Sequence, residues 1–225
     1  MNLYLDIETI PAQSPEIRAM VAENVAPPAS MKKAETIAQW EAEQKPKAIE
    51  EAISKTALDG AFGELCCIGW AVDGTLTDMT YRMQGGDEAT ILRDFVNVID
   101  GHYITQPRPV TVIGHNVIGF DIRFLWQRAI ILGVQMPGWF PRDPKPWGND
   151  VFDTMTAFAG QRGTIGLDRL AKALGLPGKS EIDGSMVGEL WAKGEHEKIA
   201  AYCKADVELT REIHRRMMVA YGEAA

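Results

Sequence analysis

The stretch Leu3-Tyr4-Leu5-Asp6-Ile7-Glu8-Thr9 is short and mostly apolar, and its Tyr and Ile residues favour an extended backbone. It predicts a buried β-strand around which the rest of the chain is organised. Side chains alternate between the two faces of a strand, so Asp6 and Glu8 project from the same face. Two like charges on a buried face are unfavourable unless a cation neutralises them, and Mg²⁺ and Mn²⁺ prefer carboxylate oxygen. The pair predicts a metal site; the alternative is an edge strand with a solvated acidic face.

The composition indicates a globular protein with a sizeable core. The chain has 225 residues, which fits one domain with an insertion, or at most two small domains. Hydrophobic residues make up 46% and charged residues 24%, as in ordinary soluble proteins. The formal net charge of −8 provides no overall basic field, which argues against a protein that coats DNA non-specifically. This charge is compatible with an enzyme whose own carboxylates are neutralised by metal.

The cysteines and the lack of targeting signals predict a cytoplasmic location. Cys66 and Cys67 are adjacent, and neither they nor Cys203 form a zinc-type spacing with the four histidines. We therefore expect buried free thiols in a reducing compartment. The N-terminal residues show no basic segment followed by an apolar run, and no stretch approaches the length of a membrane span. No membrane partner is expected.

Residues 12–58 predict a helical insertion after the first strand. The segment is rich in Ala, Glu and Lys, and helix-start signals occur at Ser14-Pro15, at Ser30 and at Pro46. Its sparse apolar positions fit helices that pack by one face only. The charged faces are solvated or, alternatively, contact a partner.

The remaining chain predicts strands and helices in an order typical of an α/β fold. Further apolar runs predict strands, and segments with helical periodicity predict helices. The strands are 65–72, 76–83, 109–114 and 151–155, and the helices are 88–99, 121–132, 167–174, 187–192 and 197–221. An antiparallel meander followed by helix-linked strands predicts a five-stranded mixed sheet flanked by helices.

Two further acids follow elements that can bring them to the first strand. Asp121 comes after the strand 109–114, where the chain enters a helix, and so lies at the mouth of the sheet. The alternative is an ordinary acid stabilised by the helix dipole. In the last helix, Tyr202 and Asp206 are four residues apart and share one face. The alternative there is a core tyrosine beside an exposed acid.

Taken together, three motifs resemble a known family of nucleases. Asp6-Ile7-Glu8-Thr9, the segment from Asn116 to Asp121 and the segment from Tyr202 to Asp206 resemble the motifs of the DEDD 3′–5′ exonucleases, which have the RNase H-like fold. The His-bearing branch has a histidine five residues before the last aspartate, where this chain has Ala201. The chain therefore resembles the Tyr-bearing branch, DEDDy.

The resemblance extends over nearly the whole chain. Segments 61–65, 68–69, 176–179 and 183–184 look like the stand-alone phage and prophage exonucleases related to the proofreading domain of family B DNA polymerases. The insertion 12–58 is the part that matches least. We therefore expect residues 1–225 to form a single exonuclease domain.

The resemblance implies hydrolysis of phosphodiester bonds by a two-metal mechanism. Asp6, Glu8, Asp121 and Asp206 would hold two divalent metal ions, Mg²⁺ or Mn²⁺, and Tyr202 would position the attacking water. The expected activity is the release of 5′-nucleoside monophosphates from the 3′ end of DNA. The expected partner is nucleic acid, with single-stranded DNA favoured over RNA.

Further residues are candidates for contacting the substrate. Thr9, Asn116 and Phe120 are expected to contact the terminal nucleotide; the alternatives are structural hydrogen bonding and core packing. The loop 137–147 combines aromatic and basic side chains on which a single strand could stack, and the alternative is a proline-stiffened surface loop. Asp153 is expected to cap a turn and not to bind metal.

Three other functions are compatible with the same sequence. One is a 3′–5′ exoribonuclease of the same fold, since no residue recognisably reads the 2′-hydroxyl. The second is a catalytically silent nucleic-acid-binding relative, against which the complete set of acids argues. The third is an RNase H-like endonuclease. The oligomeric state stays open at this level, with a homodimer among the alternatives.

Overall fold

The computed structural model describes residues 1–178 and 182–222, and five strands in this part of the chain form one mixed sheet. The strands are β1 (Asn2–Ile10), β2 (Glu64–Val72), β3 (Asp78–Tyr81), β4 (Thr111–Gly114) and β5 (Val151–Asp153). Their order across the sheet is β3-β2-β1-β4-β5, which places the acid-bearing strand at the centre. β1, β4 and β5 are parallel to one another, whereas β2 is antiparallel to β1 and β3 to β2. The predicted α/β fold with a five-stranded mixed sheet is confirmed.

Helices cover both faces of the sheet and fill the insertion after β1. They are α1 (Pro15–Glu23), α2 (Ala34–Glu43), α3 (Lys45–Lys55), α4 (Glu88–Thr105), α5 (Asp121–Leu132), α6 (Thr154–Ala159), α7 (Leu167–Ala173), α8 (Val187–Ala192) and α9 (His196–Tyr221), with short 3-10 turns at Thr56–Leu58 and Gly184–Met186. The boundaries of α5 and α8 are those predicted from the sequence. The predicted helices 88–99, 167–174 and 197–221 correspond to α4, α7 and α9.

The two faces of β1 have different surroundings. Leu5 belongs to the core that α4 and α5 cover. Tyr4 and Ile10 lie on the opposite face, where they pack against residues of α9 and α8. Asp6 and Glu8 share this second face, because side chains alternate along a strand. One strand therefore separates the main core from an acidic pocket beneath α9.

The helical insertion is connected to β1 by two hydrogen bonds near its ends. The Thr9 hydroxyl donates to the main-chain oxygen of Ala57 at 2.7 Å, and the Ala12 amide donates to the Thr56 hydroxyl at 2.8 Å. Within the inserted helices, α1 and α3 bury no residue, and Trp40 is the buried residue of α2. The insertion is helical, as expected, and the packing of these helices by one face only stays a prediction.

Some predicted boundaries are wrong near capping residues. The strand predicted over 151–155 ends at Asp153, because its carboxylate accepts hydrogen bonds from the main-chain nitrogens of Met155 and Thr156 and so begins α6. The expected role of Asp153 as a cap is confirmed. Ser30 does not cap a helix, since α2 begins at Ala34.

Two elements differ in length from their predictions because of tertiary packing. α4 continues past residue 99 to Thr105, and Tyr103 in this extension stacks on Trp139 with ring centroids 5.7 Å apart. β3 is shorter than the predicted strand 76–83: it begins at Asp78, and Leu76 before it is 92% exposed and so contributes little to packing.

Two predictions from the sequence concern the segment 176–179 and the location of the protein. Lys179, the last residue of the similar segment 176–179, lies outside the described residues. None of the helices in residues 1–178 and 182–222 is both long and apolar enough to cross a membrane. The cytoplasmic location stays a prediction.

Candidate active site

β1 supplies two carboxylates to the pocket under α9. Asp6 is paired with Gly69 of β2, and the pairing register shifts between Glu8 and Thr9, which marks a β-bulge at this point. A Cβ added at Gly69 would lie 2.9 Å from the sulfur of Cys203. Glycine at this position therefore lets α9 approach the sheet closely, and the acids of β1 face the helix directly.

α9 supplies Tyr202 and Asp206, both of them buried. The Tyr202 hydroxyl forms a hydrogen bond with Asp206. Burial raises the pKa of Tyr202 well above its usual value, and the carboxylates of Asp206, Glu8 and Asp6 raise it further. Tyr202 therefore keeps its proton at neutral pH and acts as a hydrogen-bond donor in the pocket.

Asp121, the first residue of α5, is held against the main chain of β1. Its carboxylate accepts a hydrogen bond from the Ile7 amide at 3.1 Å, and the side chain is only 4% exposed. Burial raises the pKa of Asp121 from its usual 3.8 to about 7; the charges of Asp153 and Asp206 raise it too, and main-chain hydrogen bonds oppose the rise. The structure therefore brings all five predicted catalytic residues into one electrostatically connected pocket.

The donor atoms of this pocket fit a divalent cation. One ligand atom each from Asp6, Glu8 and Cys203 lie within 4.8 Å of one another. Carboxylate oxygens of two acids on the same face are the donors that Mg²⁺ and Mn²⁺ prefer. Exonuclease domains of this kind use divalent metals, and this acidic group can hold one.

Cysteine side chains lie directly behind the two carboxylates, which the sequence did not reveal. The Cys66 thiol donates to the main-chain oxygen of Glu8 at 3.3 Å, and the Cys203 thiol donates to that of Asp6 at 3.5 Å. Burial raises the pKa of both thiols. All three cysteines of the chain are buried and outside any disulfide, as expected. In the sequence, the position of Cys203 directly after Tyr202 was the feature that could have indicated a thiol near these acids.

The loop between β4 and α5 is shaped by Asn116 and Asp153. Asn116 has a left-handed backbone conformation, with φ of 63°. Its main-chain N–H donates a hydrogen bond to the Asp153 carboxylate at 3.0 Å. The Ile118 amide donates to the second oxygen of Asp153 at 3.2 Å. The Asn116 side chain lies over Gly119, where a Cβ would collide with it. Asp153 therefore joins this loop to the start of α6.

The other predicted substrate contacts have partners inside the protein. Thr9 is buried and its hydroxyl already donates to Ala57. The half-buried Phe120 ring packs on Phe124 with centroids 5.4 Å apart. Both residues flank the acids in the sequence, and their contacts with a nucleotide stay predictions.

Two of the three aromatic rings of the loop 137–147 pack inward, although most of the loop is exposed. Trp139 donates its indole N–H to Asp100, and Phe140 is buried at 3% exposure. Arg142 stacks over the ring of Trp126, and Lys145 pairs with Asp143. Trp147, which is 72% exposed, is therefore the aromatic ring of this loop that could stack on a base.

A central strand with two acids faces a helix with Tyr and Asp on one face, which is the arrangement expected of a 3′–5′ exonuclease with the RNase H-like fold. The chain belongs to a family described as predicted 3′–5′ exonucleases related to the exonuclease domain of PolB, whose sequence model matches residues 65–224. Membership implies nuclease activity on a nucleic-acid substrate. The match includes Asp121, Tyr202 and Asp206, whereas Asp6 and Glu8 precede it, so their assignment to the pocket depends on the geometry.

A solved structure shows the same fold. The chain is similar to the family B DNA polymerase from the hyperthermophilic archaeon Pyrobaculum calidifontis, with a TM-score of 0.59 and 17% sequence identity. The similarity covers 97% of this chain and 24% of the polymerase chain, so the protein spans about a quarter of that enzyme. No curated protein sequence matches the chain.

Proposed function

We propose that this chain is a metal-dependent 3′–5′ exonuclease that acts on single-stranded DNA and releases 5′-nucleoside monophosphates. The observation that carries the proposal is the meeting of Asp6 and Glu8 of β1 with Tyr202 and Asp206 of α9 in one buried pocket. The relation to a DNA polymerase supports DNA as the substrate. The exposed ring of Trp147 favours a single strand, whose unpaired bases can stack on an aromatic side chain.

The catalytic roles follow from donor chemistry and protonation. Asp6, Glu8 and Asp206 would hold one divalent ion and Asp121 a second, with Mg²⁺ or Mn²⁺ as the fitting metals. When bound, such ions activate water and neutralise the charge that develops on the phosphate. Tyr202, which keeps its proton, would orient the attacking water as a hydrogen-bond donor or acceptor and not remove its proton.

The terminal nucleotide is expected beside the loop that joins β4 to α5. Asn116 is half-buried and the Phe120 ring is partly exposed, so each has surface that a nucleotide can reach. The Thr9 hydroxyl already donates to Ala57, which makes Asn116 and Phe120 the stronger candidates of the three. Packing of the terminal base on Phe120 would direct the last phosphodiester bond toward Asp6.

The test follows the digestion of a 5′-labelled single-stranded DNA oligonucleotide in Mg²⁺. Wild type should produce a ladder that shortens from the 3′ end, with 5′-mononucleotides as the other product. Asp6→Ala and Asp206→Ala should abolish this ladder while circular dichroism shows an intact fold. Asp94→Ala, which removes an exposed acid of α4, is the matched control and should digest as wild type does. Wild-type turnover by Asp206→Ala would refute the proposal.

Further substrates separate the alternatives. A matched RNA oligonucleotide digested faster than DNA would correct the substrate to RNA. Cutting of a circular single strand would indicate an endonuclease, because an exonuclease needs a free end. A 3′-phosphate should slow the reaction if the terminal 3′-hydroxyl is recognised. Binding of DNA without any turnover in Mg²⁺ or Mn²⁺ would indicate a silent relative.

A further inference from the structure

Cys203 places a thiol in the same ligand group as the two carboxylates of β1. Its sulfur and one oxygen each from Asp6 and Glu8 lie within 4.8 Å of one another, which is close enough for one cation to contact all three. The hydrolytic role of the pocket needs only oxygen donors, since Mg²⁺ and Mn²⁺ bind carboxylates. The sulfur is therefore a donor that the proposed reaction does not use.

The packing of α9 on the sheet fixes the position of this sulfur. Cys203 has no exposed surface, and its thiol donates to the main-chain oxygen of Asp6. Gly69 leaves just enough room for the sulfur on the side of β2. The Cys203 thiol also forms a hydrogen bond with Cys67 of β2, so a second sulfur lies behind the first. The fold therefore holds this sulfur within 4.8 Å of one oxygen each of Asp6 and Glu8, although the thiol contacts the main chain of β1 and Cys67 of β2.

We propose that this pocket also binds thiophilic divalent cations, Zn²⁺ or Cd²⁺, through Cys203 together with Asp6 and Glu8, and that such binding inhibits the exonuclease. This inference rests on the proposed assignment of Asp6 and Glu8 to the metal site. Thiolate is a soft ligand that selects Zn²⁺ and its heavier relatives over Mg²⁺. Thiolate sulfur and carboxylate oxygen are both ligands of Zn²⁺, which in its catalytic sites takes three protein ligands and leaves a fourth position to water.

The binding step is a ligand exchange without any change of oxidation state. The cation forms bonds to the Cys203 sulfur and to the two carboxylates, the thiol proton passes to solvent, and metal-bound water is released. A cation held by the sulfur occupies Asp6 and Glu8, so Mg²⁺ can no longer use them. The inhibitory cation and Mg²⁺ therefore compete for the same carboxylates.

The experiment titrates metal-free protein with Cd²⁺ and records the ultraviolet sulfur-to-cadmium charge-transfer absorbance, which needs no substrate. Wild type should gain this absorbance up to one equivalent of Cd²⁺, and excess Mg²⁺ should shift the titration to higher Cd²⁺ concentrations. Cys203→Ser should weaken Cd²⁺ binding by at least about 100-fold, since loss of even an outer-shell partner weakens metal sites by 10–100-fold. Cys66→Ser is the matched control, because its thiol contacts Glu8 only through the main-chain oxygen, and should keep the absorbance.

X-ray absorption of the wild-type Cd²⁺ complex tests the same ligand without a substitution, in case Cys203→Ser fails to fold. It should show one sulfur among oxygen neighbours. An all-oxygen shell, absorbance retained in Cys203→Ser, or a titration that Mg²⁺ leaves unchanged would overturn the proposal. Because the titration is independent of DNA digestion, it can fail while the exonuclease assay succeeds, and the reverse also holds.

Discussion

At the level of single residues, burial decides what Tyr202 can do. The hydroxyl lies near the carboxylates of Asp206, Glu8 and Asp6, and the removal of its proton would add another negative charge to them. Its raised pKa therefore follows from the same concentration of acids that attracts the metal. A protonated Tyr202 can hold the Asp206 carboxylate or a water in position, but it is poorly suited to accept a proton.

Tyr202→Phe should lower kcat by about 10- to 100-fold, as expected for loss of a group that orients a metal ligand or a water. The pH profile of kcat should keep the shape of the wild-type profile, since the tyrosine does not titrate in the neutral range. The measurement is the rate of DNA digestion at saturating substrate across pH. If the substitution removed one limb of the profile, Tyr202 would be acting as a base.

Asp121 should make the stability of the metal-free protein depend on pH. Its folded-state pKa of about 7 lies above the unfolded value of 3.8, so the folded protein binds the proton more tightly. This contribution to stability is complete below pH 4 and is lost as pH rises through about 7. Asp121→Asn cannot lose a proton, and its amide oxygen can still accept from Ile7.

In EDTA, Asp121→Asn should therefore gain stability relative to wild type between pH 5 and pH 8, by roughly 2–3 kcal/mol. Urea unfolding at the two pH values measures the difference. Mg²⁺ should reverse it, because the cation stabilises the ionised carboxylate of wild type. Asp94→Asn, which changes an exposed acid of α4, should follow wild type at both pH values. Equal pH dependence of the stability of wild type and Asp121→Asn would contradict the assignment of a raised pKa to Asp121.

At the level of elements, a buried ion pair joins α4, α5 and β2. Arg128 of α5 donates two hydrogen bonds to the Glu88 carboxylate of α4, at 2.8 and 2.6 Å. Glu88 also accepts from the Leu65 amide at the start of β2, and Arg128 donates to the main-chain oxygen of Gly60. All polar atoms of this cluster that lie away from water thus have partners, which is the condition under which a buried pair is tolerated.

Removing one partner of this pair should destabilise the protein strongly. Glu88→Gln leaves the Arg128 charge buried without a counter-charge, and Arg128→Met does the same to Glu88, so each should reduce the free energy of unfolding by about 3–5 kcal/mol. Urea unfolding measures these values. The exposed pair Asp87–Arg93 is the control, and its disruption by Arg93→Met should have a far smaller effect. Equal effects at the two pairs would show that burial is not the cause.

Local rules explain which elements the sequence predicts correctly. α5 begins at Asp121 and ends before Gly133, which adopts the left-handed conformation typical of a helix end. The pocket acids are likewise placed by the alternation of β1 and the four-residue spacing of α9. α6 was not predicted, because Asp153 and Thr154 read equally well as the end of a strand and as a capped helix start.

The parts that the sequence could not predict depend on contacts between distant segments. The Cys203 sulfur reaches the acids only because Gly69, 134 positions earlier, leaves room for α9 beside the sheet. Asp153 organises the Asn116 loop across 37 positions of sequence. The sequence indicates an exposed loop position for Trp139, whereas in the structure Trp139 contacts Tyr103 and Asp100 of α4. Each of these contacts follows from tertiary packing, which spacing alone does not encode.

At the level of the whole molecule, the sheet with its helices and the insertion differ in how much they bury. β1 and β2 are almost entirely buried, and α9 buries residues along most of its length. In the insertion, by contrast, α1 and α3 bury nothing and α2 buries Trp40. Segments with few buried apolar contacts open more easily than the rest of a domain.

Hydrogen exchange should therefore divide the chain into two units. Amides of α1, α2 and α3 should exchange before those of β1 and α9, because the insertion opens without unfolding the sheet. Trp40→Ala removes its buried side chain and should accelerate exchange in the insertion while protection of β1, α9 and the Asp6 pocket is retained. Mass spectrometry of peptic fragments resolves these regions, and Met20→Ala, which alters an exposed side chain of α1, is the control. Simultaneous loss of protection in β1 and the insertion would show that the two form one cooperative unit, and the insertion would then help to hold the acidic strand in place.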